Sequence, residues 1–364
     1  MTSRISRALV GDPDASRVPL LDNARFAVML LVVAGHALAT MRDVPGVLAG
    51  YLWLYAFHMP LFVLLSGYTA ARYRGEPRQV RRMVGTLVWP FLLVGMLLTA
   101  QRNLLADRPL LEGYTPVEAP WLLWFIVALF LWRLSTPIWR ALRFPVTTAV
   151  VVSLVSGMFP IPDVWGLPQV FGLLPFYVLG LAAAERPAAT LTGHLARPGV
   201  RLLAGAVLLT TLALATQLDT RLELRWVYWS HHYGSASLGV EPLTGMAVRL
   251  GLLGLGLALA LAFLCWVPQR RAWFSALGER TLYAYLLHGF VVRWARSEGW
   301  VRDAADLGLA GAVLVLLAAL AVGVVLMSRP VGRTFRPVFE PRLRWLFRED
   351  APASGERRAV VERE

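Results

Sequence analysis

The sequence predicts an all-α polytopic membrane protein with about ten transmembrane helices and with both termini in the cytoplasm. Of its 364 residues, 57% are hydrophobic and only 16% are charged, and the mean hydropathy is +0.56. Soluble globular domains are less apolar than this. Apolar segments recur along the chain, and the connections between them are alternately rich and poor in arginine. Arginine-rich connections stay in the cytoplasm, so the alternation gives the orientation of each helix.

The predicted transmembrane helices are apolar segments bounded by charged or Pro/Gly-rich breaks. They cover residues 24–41, 51–71, 83–101, 120–137, 146–160, 168–184, 202–217, 245–267, 277–295 and 307–328. These segments divide the chain into a cytoplasmic N-terminal segment (1–23), a transmembrane domain (24–328) and a basic cytoplasmic tail (329–364). Because residues 1–20 contain no apolar stretch like that of a cleaved signal peptide, we expect the first helix to act as an uncleaved signal anchor.

The tail begins with aromatic and aliphatic residues set among arginines and ends in charged residues. Its first part is typical of an amphipathic segment that attaches to a membrane surface, and its second part is typical of disorder. Tryptophans near the ends of the predicted helices are typical of anchors at the membrane interface. They are Trp53, Trp121, Trp139, Trp165, Trp266 and Trp300.

The composition also limits the partners of the chain. Its formal net charge of +13 comes from arginine, because the sequence contains no lysine. These arginines lie beside the predicted helices, so the expected partner is anionic membrane lipid and not nucleic acid. Cys265 is the single cysteine, which excludes an intramolecular disulfide. His231 and His232 have no third ligand at a suitable spacing, so no metal site is predicted.

The first predicted helix contains a histidine, His36, eleven residues after Arg25. A helix rises about 1.5 Å and turns about 100° per residue, so His36 lies about 16 Å beyond Arg25 on nearly the same face, near the bilayer midplane. Ionisable groups at that depth are costly in lipid, and they usually face a bundle interior or a water-filled cavity. The pair therefore predicts a buried site for a reaction or for transport.

Two more histidines are predicted to reach the same depth. His58 lies in the second helix and His288 in the ninth, where Thr281 and Tyr285 share its face. The helical rise puts all three imidazoles in one layer. A purely structural role, in which the ring forms a hydrogen bond to a backbone carbonyl, explains the presence of His58 and of His288 equally well.

The second helix contains Pro60, which frees a backbone carbonyl at the histidine layer, and then Ser66, Gly67 and Tyr68. Small residues such as Ser66 and Gly67 permit close helix packing, which is an alternative to a role in binding. The following connection contains an arginine cluster with helical spacing, formed by Arg78, Arg81 and Arg82. Guanidinium groups on one face can bind phosphate, although an arginine-rich cytoplasmic loop also fits the topology.

The longest outer loop, at about 218–244, is rich in aromatic residues and includes Trp226, Tyr228 and Trp229. Aromatic faces can stack on sugar rings. An aromatic belt at the membrane interface explains the same residues without a ligand.

These motifs resemble those of the acyltransferase 3 family of integral membrane acyltransferases, in the branch of the fucose 4-O-acetylase-like sugar O-acetyltransferases. The resemblance covers nearly the whole chain and depends on the order and spacing of the motifs. They are Leu21–Arg25 followed after ten residues by His36, Phe57–Tyr68, Arg78–Arg81, Leu123–Ile126, Phe176–Gly180, and Leu277–Glu279 leading to Tyr285–His288.

The resemblance implies ten helices, an acyl group taken from a cytosolic acyl-CoA, and transfer to a hydroxyl group of a carbohydrate or a related acceptor. It also implies a catalytic role for His36 and support of the donor site by Arg25, Arg78 and Arg81. A hydroxyl is a weak nucleophile at neutral pH, and imidazole is the usual base that activates it. The phosphates of CoA cannot enter hydrocarbon, so we expect them to stay among the arginines at the cytoplasmic end.

We therefore predict a membrane O-acyltransferase that uses acetyl-CoA or another acyl-CoA and acylates a carbohydrate-containing acceptor. His36 is the predicted general base or acyl carrier, with Arg25 and His58 as further catalytic residues. The predicted binding residues are Arg78, Arg81, Arg82, Ser66 and Tyr68 for the donor and Tyr285, His288, Trp124 and Trp229 for the acceptor. No metal is predicted, and the sequence carries no signal for an oligomeric state.

The main alternative is a proton-coupled transporter of a small anionic or sugar-like solute, for which histidines within the membrane and arginines in a vestibule are also typical. No inverted repeat of the kind found in many transporters is visible in the sequence. Either function predicts a multi-pass protein of the plasma membrane, and we expect the inner membrane of a bacterium.

Overall fold

The computed structural model describes residues 18–116, 118–217, 221–341, 343 and 345–347, which form helices and loops without a strand. Most of the predicted N-terminal segment, the charged end of the tail, and residues 218–220 of the predicted outer loop lie outside the described residues. In chain order the helices are α1 (Pro19–Leu38), α2 (Val47–Ala70), α3 (Pro77–Leu104), α4 (Trp124–Ala141), α5 (Pro145–Ser156), α6 (Leu167–Ala183), α7 (Ala188–Leu195), α8 (Pro198–Ala215), α9 (Arg221–Val227), α10 (Pro242–Trp266), α11 (Ser275–Gly278), α12 (Thr281–Ser297), α13 (Trp300–Asp306), α14 (Gly308–Leu326) and α15 (Arg329–Phe339).

All ten predicted apolar segments coincide with helices. Among the described residues, seven helices are long and apolar enough to cross a membrane. They are α1, α2, α3, α4, α8, α10 and α14, with α4 extended at its start by the 3₁₀ turn Trp121–Leu123. The fifth and sixth predicted segments form the shorter apolar helices α5 and α6, and the ninth forms α12. Several helices begin at proline, which is suited to the first helical position because that residue needs no N–H donor.

Helix α2 lies at the centre of the bundle and packs against α1, α6, α8 and α10. Its approach to α6 is so close that a Cβ on Gly67 would overlap the carbonyl oxygen of Tyr177, and a Cβ on Gly180 would overlap that of Leu64. In lipid, helices gain little from hydrophobic burial against each other, and small residues stabilise contacts by letting backbones approach. The predicted packing role of Gly67 is therefore present in the fold.

Helix α2 continues through Pro60, which cannot donate to the carbonyl oxygen of Ala56. Gly256 of α10 packs at this point, and a Cβ on that glycine would lie 3.0 Å from the Ala56 oxygen. The proline therefore frees a carbonyl at the level of His58, as predicted, and a glycine of the neighbouring helix covers it.

The start of α1 is attached to the connection between α10 and α12. Asn23 is fully buried, and its Nδ2 donates to the carbonyl oxygens of Pro268 at 2.7 Å and Arg270 at 3.0 Å. The hydroxyl of Ser275 donates to Asn23 Oδ1 at 2.6 Å. These bonds satisfy a buried amide and fix the N-terminal part of α1, which contains Arg25, beside the start of α12.

The beginning of the predicted tail forms part of the folded domain. Helix α15 buries Phe339 and Gly332, and Trp89 Nε1 of α3 donates to the carbonyl oxygen of Val338 at 2.8 Å. Just after α15, the Tyr283 hydroxyl of α12 donates to Glu340 Oε1 at 2.5 Å. The amphipathic pattern that predicted attachment to a membrane surface thus also packs this segment against α3 and α12.

The backbone contact between α2 and α6 predicts a large effect of a single methyl group. Gly180→Ala is expected to destabilise the protein by about 1–3 kcal/mol, because the new Cβ must push two backbones apart. The measurement is the Tm of the purified protein in detergent. Gly251→Ala is the matched control on α10, because a Cβ there meets no described atom within 4 Å. Equal Tm values for the two variants would contradict the role of the close contact.

Candidate active site

His36 lies in the last turn of α1, two residues before the helix ends at Leu38. The sequence predicted a position near the middle of a membrane span, but the helix begins at Pro19 and ends earlier than the predicted segment. The His36 ring is partly exposed, and its side chain forms no hydrogen bond with any described residue. Its centroid is 5.2 Å from that of His288 and 5.1 Å from that of Trp121, which it meets edge to face. The Nη2 of Arg296 donates to its backbone carbonyl oxygen at 2.5 Å.

His288 lies in the middle of α12 and is fully buried. Its Nδ1 is 2.9 Å from the carbonyl oxygen of Ala284, which can only accept, so Nδ1 carries the proton in the neutral ring. Its Nε2 is then an acceptor, and it is buried without a hydrogen-bond partner among the described residues. An unsatisfied buried acceptor next to His36 is costly for the fold and is available to a ligand or a proton.

His58 is also buried, and its Nδ1 is 2.9 Å from the carbonyl oxygen of Leu54. His58 and His288 therefore both form the backbone hydrogen bond that was the alternative explanation for each. The His58 ring meets the ring of Tyr55 edge to face at 4.6 Å, and Tyr55 also packs against Gly35 beside His36. His36 lies within electrostatic range of both other histidines, so the three predicted imidazoles belong to one cluster.

A cavity of about 470 Å³ lies towards the end of the bundle that contains Arg25. Four arginines from four parts of the chain line it, namely Arg25 of α1, Arg72 after α2, Arg82 of α3 and Arg133 of α4. The carboxyl groups of Glu279 and Glu340 also line it. Its volume is within the usual range of about 300–1,000 Å³ for small-molecule sites.

The helix α3 that borders this cavity contains a π-helical turn at Val84–Val88. Thr86 and Leu87 of this turn line the cavity, and the Thr86 hydroxyl donates to the carbonyl oxygen of Arg82 at 2.8 Å. Such turns insert one residue into a helix and occur often at functional sites. Here the turn begins at Val84, two residues after Arg82.

Aromatic side chains separate this cavity from the histidine cluster. Phe62 and Phe125 stack with their centroids 4.9 Å apart, and Phe125 is 5.8 Å from Tyr285. All three line the cavity, and Tyr285 lies 6.1 Å from His288 on its other side. The Tyr285 hydroxyl donates to the carbonyl oxygen of Leu122. We call Phe62, Phe125 and Tyr285 the aromatic partition.

The structure separates the predicted donor residues into two groups. Arg82 and Ser66 line the cavity, with the Ser66 hydroxyl bonded to the carbonyl oxygen of Phe62 at 2.8 Å. Arg78, Arg81 and Tyr68 are not among the residues that line it. The guanidinium of Arg81 instead lies over the ring of Phe347, 5.8 Å from its centroid.

The predicted acceptor residues are also divided. His288 lies beside His36, and Tyr285 lies 6.1 Å from His288 on the side of the cavity. Trp124 is half-buried at the start of α4 beside Gly166. Trp229 is only 4% exposed and packs against Phe176 and Arg249, so its ring is not available to stack on a sugar.

Sequence reasoning missed Arg133, Trp121 and Arg296. Arg133 lies within a predicted apolar span, and that position alone is a signal of function. Trp121 was interpreted as an interfacial anchor, yet its ring contacts that of His36, and the guanidinium groups of Arg293 and Arg296 lie 5.6 Å and 5.5 Å from its centroid. Arg296 follows the last residue of the predicted ninth span, and no pattern in the sequence links it to His36.

Among the described residues no group of three or more potential metal ligands occurs.

Comparison with known proteins agrees with this architecture. No curated protein and no solved structure matches the chain. A family model described as an acyltransferase domain, that of acyltransferase 3, matches residues 18–328 and thus contains every helix from α1 to α14. The chain therefore belongs to the acyltransferase 3 family and is a multi-pass membrane acyltransferase.

Proposed function

We propose that the protein is an O-acyltransferase that moves an acyl group, in the simplest case acetyl, from cytosolic acyl-CoA to a hydroxyl group of a carbohydrate-containing acceptor. The observation that carries the proposal is the row of neighbouring side chains that leads from the arginine-lined cavity through Tyr285 and His288 to His36. The carbohydrate acceptor is that of the sugar O-acetyltransferase branch, which the sequence resembles.

The cavity is suited to the charged part of the donor. CoA is a polyanion, and its phosphates cannot leave water unless cations and hydrogen-bond donors replace their hydration. Arginine binds phosphate through two parallel N–H groups, and four arginines face the cavity. We assign the phosphates to the arginines and the thin pantetheine arm to the inner end of the cavity.

The arm must pass the aromatic partition before its thioester reaches His36. Tyr285 and His288 are 6.1 Å apart and His288 and His36 are 5.2 Å apart, so a shift of one or two side chains connects the two spaces. Donor binding would supply the energy of that movement.

At His36 the reaction can follow two routes. In the first, the imidazole takes the proton of the acceptor hydroxyl while the hydroxyl oxygen attacks the thioester carbonyl carbon. The C–S bond then breaks, and the CoA thiolate leaves and takes up a proton. In the second, a ring nitrogen of His36 attacks the thioester first, and the acyl-histidine then passes its acyl group to the hydroxyl. His288 Nε2 can accept a proton or hydrogen bond in either route.

A transporter remains the second candidate, because the unsatisfied His288 Nε2 beside His36 is also what a proton relay would need. Membership of the acyltransferase family favours acyl transfer. Release of CoA thiol separates the two functions, since transport of a solute does not break a thioester.

The first test replaces the proposed base. With purified protein, acetyl-CoA and an acceptor extract, His36→Ala is expected to slow the release of free CoA thiol by at least about 100-fold, the usual contribution of a general base. His194→Ala is the control, because His194 is exposed on α7, outside the site. Equal thiol release by the wild type and His36→Ala would refute the catalytic role of His36. Trapping of radiolabelled acetyl on the protein would select the acyl-histidine route.

The second test separates arginines that line the cavity from one that does not. Arg133→Gln is expected to raise the KM for acetyl-CoA about tenfold or more, since a hydrogen bond to a charged group contributes about 1.5–3 kcal/mol. Arg133→Lys should recover part of this loss because it keeps the charge. Arg81→Ala should raise KM less, because its guanidinium packs on Phe347. A larger effect at Arg81 than at Arg133 would place the donor phosphates outside the cavity.

A further inference from the structure

A second group of arginines lies beyond His36, away from the donor cavity. It consists of Arg42 after α1 and of Arg293 and Arg296 in the last two turns of α12, and we call it the distal arginine group. Each forms one bond to a backbone carbonyl oxygen, that of Ala39 for Arg42, Leu98 for Arg293 and His36 for Arg296. Arg25 lies eleven residues before His36, about 16 Å along α1, so the two arginine groups are at opposite ends of the site.

Of the three arginines, Arg42 has a carboxylate next to it, that of Asp43, and both residues line one small cavity. Neither Arg293 nor Arg296 pairs with an acidic side chain among the described residues. The charged side chains in electrostatic range of these two arginines are themselves arginines. The Nε of Arg296 is also buried without a hydrogen-bond partner among the described residues. Repulsion and an unsatisfied guanidinium N–H both destabilise the fold, so packing alone does not explain this group.

The topology of membrane proteins adds to this argument. The proposed function puts the donor cavity at the cytoplasmic ends of the helices, where arginines concentrate, and few arginines are expected at the opposite ends. Several arginines around His36 at that opposite end therefore need a local reason. An anionic ligand would neutralise them.

The same region is accessible to a ligand. His36, Tyr55, Trp121 and Arg296 are each partly exposed, although they surround the buried His288. Trp121 holds the guanidinium groups of Arg293 and Arg296 on its ring and meets the His36 ring edge to face. A ligand anion bound to these arginines would thus have its neighbouring atoms next to His36.

We infer that the acyl acceptor is anionic and that the distal arginine group binds a phosphate or carboxylate next to the hydroxyl that His36 activates. This inference rests on the proposed function and narrows its acceptor to acidic or phosphorylated saccharides. A phosphosugar can be soluble or can be the head group of a lipid-linked saccharide. Both offer the same oxyanion to Arg296.

The test measures binding without acyl-CoA, by calorimetry on the full chain in nanodiscs of neutral lipid. The probes are glucose 1-phosphate, glucuronate and glucose. Glucose 1-phosphate or glucuronate is expected to bind at least about tenfold more tightly than glucose, because charge-assisted hydrogen bonds are stronger than neutral ones. Farnesyl phosphoglucose is the further probe, which tests whether the acceptor is a lipid-linked saccharide. Tighter binding of this probe than of glucose 1-phosphate indicates such a source, and equal binding indicates a soluble one.

The variants identify the residue responsible. Arg296→Gln should reduce binding of the anionic probes to the level of glucose, and Arg296→Lys should retain part of it. Arg302→Gln should leave binding unchanged, because the Arg302 side chain is 83% exposed on α13. Arg293→Gln is the second variant if Arg296→Gln unfolds, which its Tm would reveal.

Equal binding of glucose and the anionic probes, or unchanged binding in Arg296→Gln and Arg293→Gln, would overturn the inference. Failure of the proposed function gives a different result. In that case no CoA is released with any acceptor, while binding that depends on Arg296 persists in both the wild type and His36→Ala.

Discussion

The cost of removing charged and polar groups from water is the constraint on which this structure depends. The bundle is apolar, yet it holds three histidines, a buried asparagine and arginines from at least six parts of the chain. Asn23 satisfies its amide with three hydrogen bonds, and His58 and His288 each use one nitrogen on a backbone carbonyl. Two of the buried atoms that have no hydrogen-bond partner among the described residues, His288 Nε2 and Arg296 Nε, belong to residues that contact His36.

His36 thus lies between two sets of arginines, the set that lines the cavity and the distal arginine group. The cavity is lined by four arginines and two carboxylates, and the aromatic partition lies between it and the histidines. One of these carboxylates, Glu340, comes from the segment after α15, so the C-terminal part of the chain helps to form the cavity as well as packing on α3. In the distal arginine group, Arg293 and Arg296 pair with no carboxylate among the described residues. A donor and an acceptor that approach from opposite ends would meet at His36 without sharing a path.

Patterns along one helix were predictable, and contacts between distant segments were not. The apolar segments and the layer of His36, His58 and His288 follow from helical rise and hydrophobicity, which are local properties. The spacing of Arg78, Arg81 and Arg82 predicted that they share one face of a helix, but it did not predict what that face contacts. Of the three, only Arg82 lines the cavity, and the guanidinium of Arg81 packs on Phe347 of the tail. Trp229 was predicted on an open loop, and a buried contact with Phe176 and Arg249 removes it from the surface. The hydrogen bond from Arg296 to the carbonyl oxygen of His36 joins residues 260 positions apart, and no periodicity in the sequence predicts it.

The central claim is that the donor reaches His36 from the arginine-lined cavity through the aromatic partition. A cryo-electron microscopy structure of the full chain with a non-hydrolysable acetyl-CoA thioether tests it most directly. The account predicts the phosphates among Arg25, Arg82 and Arg133, a displaced Tyr285 or Phe125, and the acyl carbonyl within contact of the His36 ring. An acyl group that stays on the cavity side of an unchanged partition, or phosphates bound at the distal arginine group, would contradict it.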